Sequence, residues 1–298
     1  MEQANVMDIS TFLQLAISGI LMGGLYALLA FGLSLTYGVA RIMNFAHGTM
    51  LAMAAIVGSI MYERTGWNPF LLILVIAPTA FAIGYAYYLA LLSPLRRRTA
   101  LEANVGTVLV TVGSLIIISD VTAALAGSQP RNILLQSNVI QLGNIVISST
   151  QMIAFCVICA LTVVLSLILK RTWFGLAVRA VTQDHVGATI CGVSASRIHA
   201  CTFGVGSALA AIAGVLYASS FPIDPYAGFG LTVRAFTIIV LGGLGNLLGA
   251  FFAAVLLGIC ESCTSFFLGS QWTYGISIVI LLGFLVMFPN GLRAGRTV

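Results

Sequence analysis

Long apolar runs recur along this chain, separated by short polar connections. Eight can be marked, at about 11–37, 45–62, 69–92, 104–126, 146–169, 199–221, 232–261 and 268–288. Most are roughly 20 residues long, the length that crosses the hydrocarbon core as a helix. The runs are continuous and do not alternate, unlike the strands of an outer-membrane barrel. The pattern predicts an all-α architecture: one polytopic transmembrane helical bundle over residues 1–298, with about eight spans and no room for a soluble domain.

Two stretches break this pattern. "RIMNFAHGTM", Arg41 to Met50, sets Arg41, Asn44, His47 and Gly48 between apolar runs. "VLGGLGNLLGA", Val240 to Ala250, holds Gly242, Gly243, Gly245 and Asn246 and reads as a chain reversal or unwound turn. Non-helical backbone is tolerated at membrane depth only where it is buried in protein or lines a watery cavity. Asn44 and His47 can satisfy the peptide groups that a broken helix leaves open, and the same break can line a permeation path. Paired interruptions near opposite ends of a chain are the mark of an internally repeated transporter fold. Identity between the two halves is too faint to demonstrate the repeat. "GILMGGLYA", Gly19 to Ala27, is read instead as a small-residue packing face.

Composition settles the solvent. Hydrophobic residues make up 60% of the chain and charged ones only 7%, with mean hydropathy +1.08. A soluble domain carries about 25% charged residues, so this surface faces lipid. The net charge of +5 comes mostly from Arg in the connections, where it marks topology rather than a nucleic-acid surface. Arg96, Arg97 and Arg98 lie in one connection, and Lys170, Arg171, Arg179 and Arg197 in another two spans later. Both are assigned to the cytoplasm. The N-terminus, with Glu2 and Asp8, and the 127–145 connection are then outside, and the first run is expected to be a retained span. Three further spans would carry Arg293 and Arg296 outside as well, against the charge rule. Either the tail is too short to matter or one late segment re-enters without crossing.

Chemistry is sparse. "CVIC" (Cys156, Cys159) and "CESC" (Cys260, Cys263) have metal-ligand spacing but fall inside apolar runs, where Cys acts as a small hydrophobe. No metal, cofactor or disulfide is expected. His47, His185 and His199 share no metal-binding spacing. Among the charges inside spans, Asp120 reads as the deep one, while Arg234 and Glu261 read as near an interface. No GxxxxGK[ST] loop is present, so the chain has no such ATP site of its own. Residues 170–198 lack proline and are expected to form one or two short amphipathic helices on the cytoplasmic surface. Gly187, Ala188 and Gly192 there favour close protein contact.

Together these features resemble the permease subunits of branched-chain amino-acid ABC importers, the shorter of the two permeases. Four ordered stretches carry the resemblance: "GGLYALLAFGLSLTYGVARIMNFAHGTM", "GLAVRAVTQDHVGATICGVSASRI", "AFTIIVLGGLGNLLGAFFAAVLLGICES" and "FPNGLRAG". The resemblance implies a bacterial inner-membrane importer with a second permease subunit, two ATP-binding subunits and a periplasmic solute-binding protein, surrounded by membrane lipid and without nucleic acid. It implies a coupling segment gripped by an ATPase, for which Arg179, Asp184, Gly187, Ala188 and Gly192 are the candidates. The importer pattern there is Glu-Ala-Ala, three residues, then Gly. Ala188 and Gly192 match, Gly187 stands for the first Ala, and Val186 replaces the Glu. The pathway and gating candidates are Asn44, His47, Gly48, Gly242, Gly243, Gly245 and Asn246. The subunit itself is expected to catalyse no covalent step. Alternatives are a urea or short-amide permease of similar build, an ion-coupled carrier using Asp120, and a membrane scaffold without transport.

Overall fold

The computed structural model describes residues 9–97, 99–135, 139–142 and 145–287. Its helices are α1 (Ile9–Ala40), α2 (His47–Thr65), α3 (Pro69–Tyr87), α4 (Ala100–Ala126), α5 (Ser149–Arg171), α6 (Trp173–Gln183), α7 (His185–Ile190), α8 (Ala195–Ala218), α9 (Gly228–Gly242), α10 (Leu247–Phe267) and α11 (Thr273–Met287). A π turn over Tyr88–Leu92 and a 3-10 turn over Pro94–Arg97 prolong α3. A small antiparallel hairpin, β1 (Val139–Leu142) with β2 (Ile145–Ser148), covers one end. Seven helices among the described residues are long and apolar enough to cross a membrane; α2 and the 15-residue α9 fall outside that set. The architecture is that of a multi-pass helical membrane protein. The final "FPNGLRAG" lies outside the described residues.

Local chemistry starts and stops the helices. Thr99 and Glu102 form a capping box at α4. Asn68 caps α3, with Pro69 in the first turn. Thr172 and Asp184 cap α6 and α7. α1 and α8 are the most buried of the spanning helices, while α3, α4 and α11 turn most of their surface outward. Lipid tails are as apolar as Leu, so helix association rests on close packing of small residues. The α1–α10 seam shows it. Gly19 and Gly23 lie against the backbone of Ile259 and Val255, and Gly258 against the backbone of Gly19 and Gly23.

The contacts trace an inverted repeat. α1 packs on α10 as α8 packs on α3, α2 packs on α8 as α9 packs on α1, α1 crosses α8, and α2 meets α9. The two units are α1–α2–α3 and α8–α9–α10. The structural counterpart of the 41–46 break is therefore the 219–227 connection. The Gly243–Asn246 break is instead the turn between α9 and α10. It divides the run expected at 232–261 into two helices, as the reading of a chain reversal requires. That extra reversal also sets the direction of the last helix, although Arg293 and Arg296 lie outside the described residues. α11 runs alongside α9, with Tyr274 near Arg234 and the Ser277 carbonyl accepting from Thr237. Its far end therefore returns to the face that carries Arg96 and Lys170.

Candidate functional site

The 41–46 segment climbs back into the bundle as extended chain. α1 ends when the Arg41 N–H donates to the Tyr37 carbonyl at 2.9 Å, and Arg41 takes φ 54°, a left-handed conformation that non-glycine residues rarely adopt. Side chains then alternate. Ile42, Asn44 and Ala46 are buried, while Arg41 and Met43 face outward. His47 begins α2 beside Leu29, whose carbonyl lies 3.1 Å from Nε2. Leu29 sits eleven residues before the end of α1, so α2 starts about 16 Å inside the bundle at 1.5 Å per residue.

Here α2 and α9 meet head to head. The Gly48 N–H donates to Thr232 Oγ1 at 2.9 Å, and the Thr232 hydroxyl faces the carbonyls of Phe45 (3.1 Å) and Gly228 (3.0 Å). A Cβ on Gly48 would collide with the Gly228 carbonyl, and one on Gly228 would fall 2.5 Å from the Thr49 Cα. The side chain at residue 48 must therefore be hydrogen. Asn44 Oδ1 accepts from the Ala46 N–H at 3.0 Å, while its buried Nδ2 has no partner. Asn44 and His47 thus satisfy the broken backbone. Neither helix start has a side-chain cap, so both point the positive ends of their dipoles into the crossing.

A cavity of about 1000 Å³ opens beneath this segment at the basic end. Ala40 to Met43 form its roof, with the Ala40 carbonyl held by Arg96 Nη1 (3.2 Å) and the Met43 carbonyl by Thr111 Oγ1 (3.3 Å). Thr182, Gln183 and His185 form a wall. The His185 ring stacks on His199 at 6.2 Å, and His199 Nδ1 lies 3.2 Å from the Tyr88 hydroxyl in the π turn.

The coupling candidates come together on α6 and α7, but not in the expected orientation. Ala188 is buried against Val181 and Ala195 of its own chain, and Gly187 faces the Asp184 carboxylate that caps α7. Ala188 is the small residue that lets α7 seat on α6 and α8. Val186 and Ile190 are the outward pair, 65% and 81% exposed. Gly192 ends α7 at φ 85°. Arg179 Nη1 donates to the Leu169 carbonyl, tying α6 back to α5.

The glycine turn stands apart from the crossing. Gly242 packs on Gly249, Gly243 and Gly245 take φ 87° and 78°, and Gly245 lies under Gly38 at the basic end of α1. The structure does not bring Gly242, Gly243, Gly245 and Asn246 together with Asn44, His47 and Gly48.

The charged residues also change places. Asp120, expected deep, is exposed on α4, whereas Glu261, expected near an interface, is 1% exposed. Glu261 accepts from Arg234 Nε (2.8 Å), the Tyr26 hydroxyl (2.7 Å) and the Ser277 hydroxyl (2.5 Å). Arg234 lies 5.5 Å from the Tyr26 ring centroid. Sequence reading missed this cluster, and it missed Gly228 and Thr232. The Pro- and Gly-rich "FPIDPYAGFG" was the available signal for the second re-entrant segment. Among the described residues no group of His, Cys, Asp and Glu could hold a metal ion.

Comparison with known proteins is consistent with this architecture. Residues 15–285 match the family model described as branched-chain amino acid transport system / permease component. The high-affinity branched-chain amino acid transport system permease protein LivH of Escherichia coli K12 is 29% identical, over 94% of this chain and 95% of that protein. BraD of Pseudomonas aeruginosa, described in the same words, is 29% identical over 96% of each. Among solved structures, PsaBC from Streptococcus pneumoniae in complex with Fab superposes with TM-score 0.52 at 15% identity, covering 96% of this chain and 97% of that one. That likeness shows a shared fold.

Proposed function

This chain belongs to the branched-chain amino acid transport system permease component family, and from that premise we propose that it is the membrane conduit of an ABC importer for branched-chain or other hydrophobic amino acids. It acts with a second permease subunit, two ATP-binding subunits and a periplasmic solute-binding protein. ATP is hydrolysed by the partners, and this subunit performs no covalent chemistry. The observation that carries the reading is the 1000 Å³ cavity, because the re-entrant segment is its roof and the coupling segment is part of its wall.

The mechanism is alternating access, driven by differential affinity of the partners for two states. An ATP-binding subunit grips α7 through Val186 and Ile190. Movement of α7 shifts His185, and through His199 it shifts Tyr88 in the π turn. The wall of the vestibule moves while Arg96 and Thr111 hold its roof. Asn44, His47 and Gly48 form the gate above, where the positive ends of the α2 and α9 dipoles converge. Gly242, Gly243, Gly245 and Asn246 form the hinge between α9 and α10. Asp184, Gly187, Ala188 and Gly192 build the coupling helix, and Arg179 anchors it. An ion-coupled carrier is disfavoured by the position of Asp120, which faces away from the cavity and the crossing.

The test is thiol labelling. Met43 is 41% exposed and forms part of the vestibule roof. With native cysteines replaced, Met43→Cys in the assembled complex is expected to react with a cytoplasmic reagent at least about tenfold faster in one nucleotide state than in the other. That ratio corresponds to about 1.4 kcal/mol between conformations. Equal rates with and without trapped nucleotide would overturn the vestibule assignment.

A further inference from the structure

A second cavity, of about 430 Å³, lies at the basic end, with Thr182 and Gln183 shared with the vestibule wall and Gly245 and Asn246 contributed by the α9–α10 turn. It forms where α5 and α10 diverge over α1, with α6 below. Nearer the opposite face the two helices touch, Phe155 against Phe251 at 6.5 Å between ring centroids. Toward the basic end they part, and Ser166 of α5 and Leu248 of α10 face the gap.

Three features of this cleft favour an anion. Lys170 and Arg179 stand in its wall, and among the described residues no acidic side chain lines it. α10 begins in the cavity, and its N-cap residue Asn246 makes no side-chain bond to the helix start. Its Nδ2 instead lies 3.4 Å from the Gly242 carbonyl. The first N–H groups of α10 are therefore left for a ligand, at the positive end of the dipole. Independently, Ser34 in the cavity wall is 1% exposed and its hydroxyl has no partner. A buried hydroxyl without a hydrogen bond calls for a ligand atom to complete it.

The remaining wall selects the kind of anion. Leu35, Leu169 and Leu247 make it apolar, and Leu244 in the turn with Leu248 and Phe252 on α10 continue an exposed apolar surface. Trp173, 85% exposed beside Lys170 and Arg171, marks the level of the lipid headgroups. A small hydrophilic anion would gain nothing from the apolar stripe, whereas an amphiphile would cover it. Basic pockets between spans on the cytoplasmic side suit lipid phosphates. We infer that this cleft is a binding site for an anionic phospholipid of the inner leaflet. Its phosphodiester sits between Lys170, Arg179 and the amide end of α10, and an acyl chain lies along Leu248 and Phe252. The inference depends on the sidedness set by the basic connections, not on which solute is carried.

The site can be read by native mass spectrometry of the full chain after transfer through phosphatidylcholine discs with and without phosphatidylglycerol. One phosphatidylglycerol per chain is expected to survive detergent washing and to resist displacement by inorganic phosphate. Lys170→Gln is expected to weaken retention about fivefold, Lys170→Arg to restore it, and Leu248→Trp to abolish it by filling the cleft with charge unchanged. Retention equal to wild type in both Lys170→Gln and Leu248→Trp would overturn the site. Displacement by inorganic phosphate alone would overturn the lipid and leave a free-anion site.

Discussion

At the scale of single residues, the crossing rests on Gly48 and Thr232. Replacing Thr232 by Val keeps the volume but leaves the Gly48 N–H, bonded at 2.9 Å, buried without an acceptor. An unsatisfied buried donor costs about 1–3 kcal/mol. Thr232→Val is expected to lower thermal stability in detergent and to reduce uptake, and Thr232→Ser to restore both. Equal melting of the Val variant and wild type would contradict the assigned bond. The Glu261 cluster makes a second prediction. Glu261→Gln leaves Arg234, itself largely buried, without its counter-ion, and breaking a buried pair costs about 3–5 kcal/mol. The double variant Arg234→Gln/Glu261→Gln is expected to melt higher than Glu261→Gln alone, because it carries no unpaired charge. Which of Asp120 and Glu261 faces the bundle interior could not be read from sequence. Both lie in runs that are apolar on every side, so periodicity gives no inward face. Asn44 and His47 were legible because polar groups at a break have open peptide groups to serve.

At the scale of elements, the coupling segment separates what is read from small residues from what they do. Gly187, Ala188 and Gly192 signalled close contact, and the contact exists, but its partner is the chain's own Val181 and Ala195. A short sequence cannot say which surface a small residue approaches. Two variants separate the roles. Ala188→Trp overfills a seat inside the protein, costing about 1–3 kcal/mol, and is expected to lower the melting temperature of the chain by itself. Ile190→Asp, on the exposed side of α7, is expected to leave that melting unchanged while uncoupling ATP hydrolysis from transport. Normal coupling in Ile190→Asp would remove α7 from the partner contact. The reversal at Gly243–Asn246 was legible from its glycines. The 219–227 re-entry was not, because a Pro-rich connection looks the same whether it crosses solvent or dips into the bundle.

At the scale of the whole molecule, two inverted units clasp each other, and each sends one short helix only part of the way through. Length and hydropathy made the all-α membrane class plain, and the basic connections assign an orientation by charge alone. The inverted repeat emerged only in contacts, since the two units share a shape without a visible common sequence. In this arrangement α2 and α9 hold peptide dipoles at mid-depth, and α7, the proposed coupling helix, reaches the vestibule beneath them through His185 and His199. On the proposed reading such a molecule gates passage and takes its energy from the ATP-binding partners. The decisive measurement is leucine accumulation by vesicles holding the chain with its second permease and the solute-binding protein, with and without the ATP-binding subunits and ATP. Accumulation against a gradient is expected only when both are present. Accumulation without the ATP-binding subunits would contradict the account.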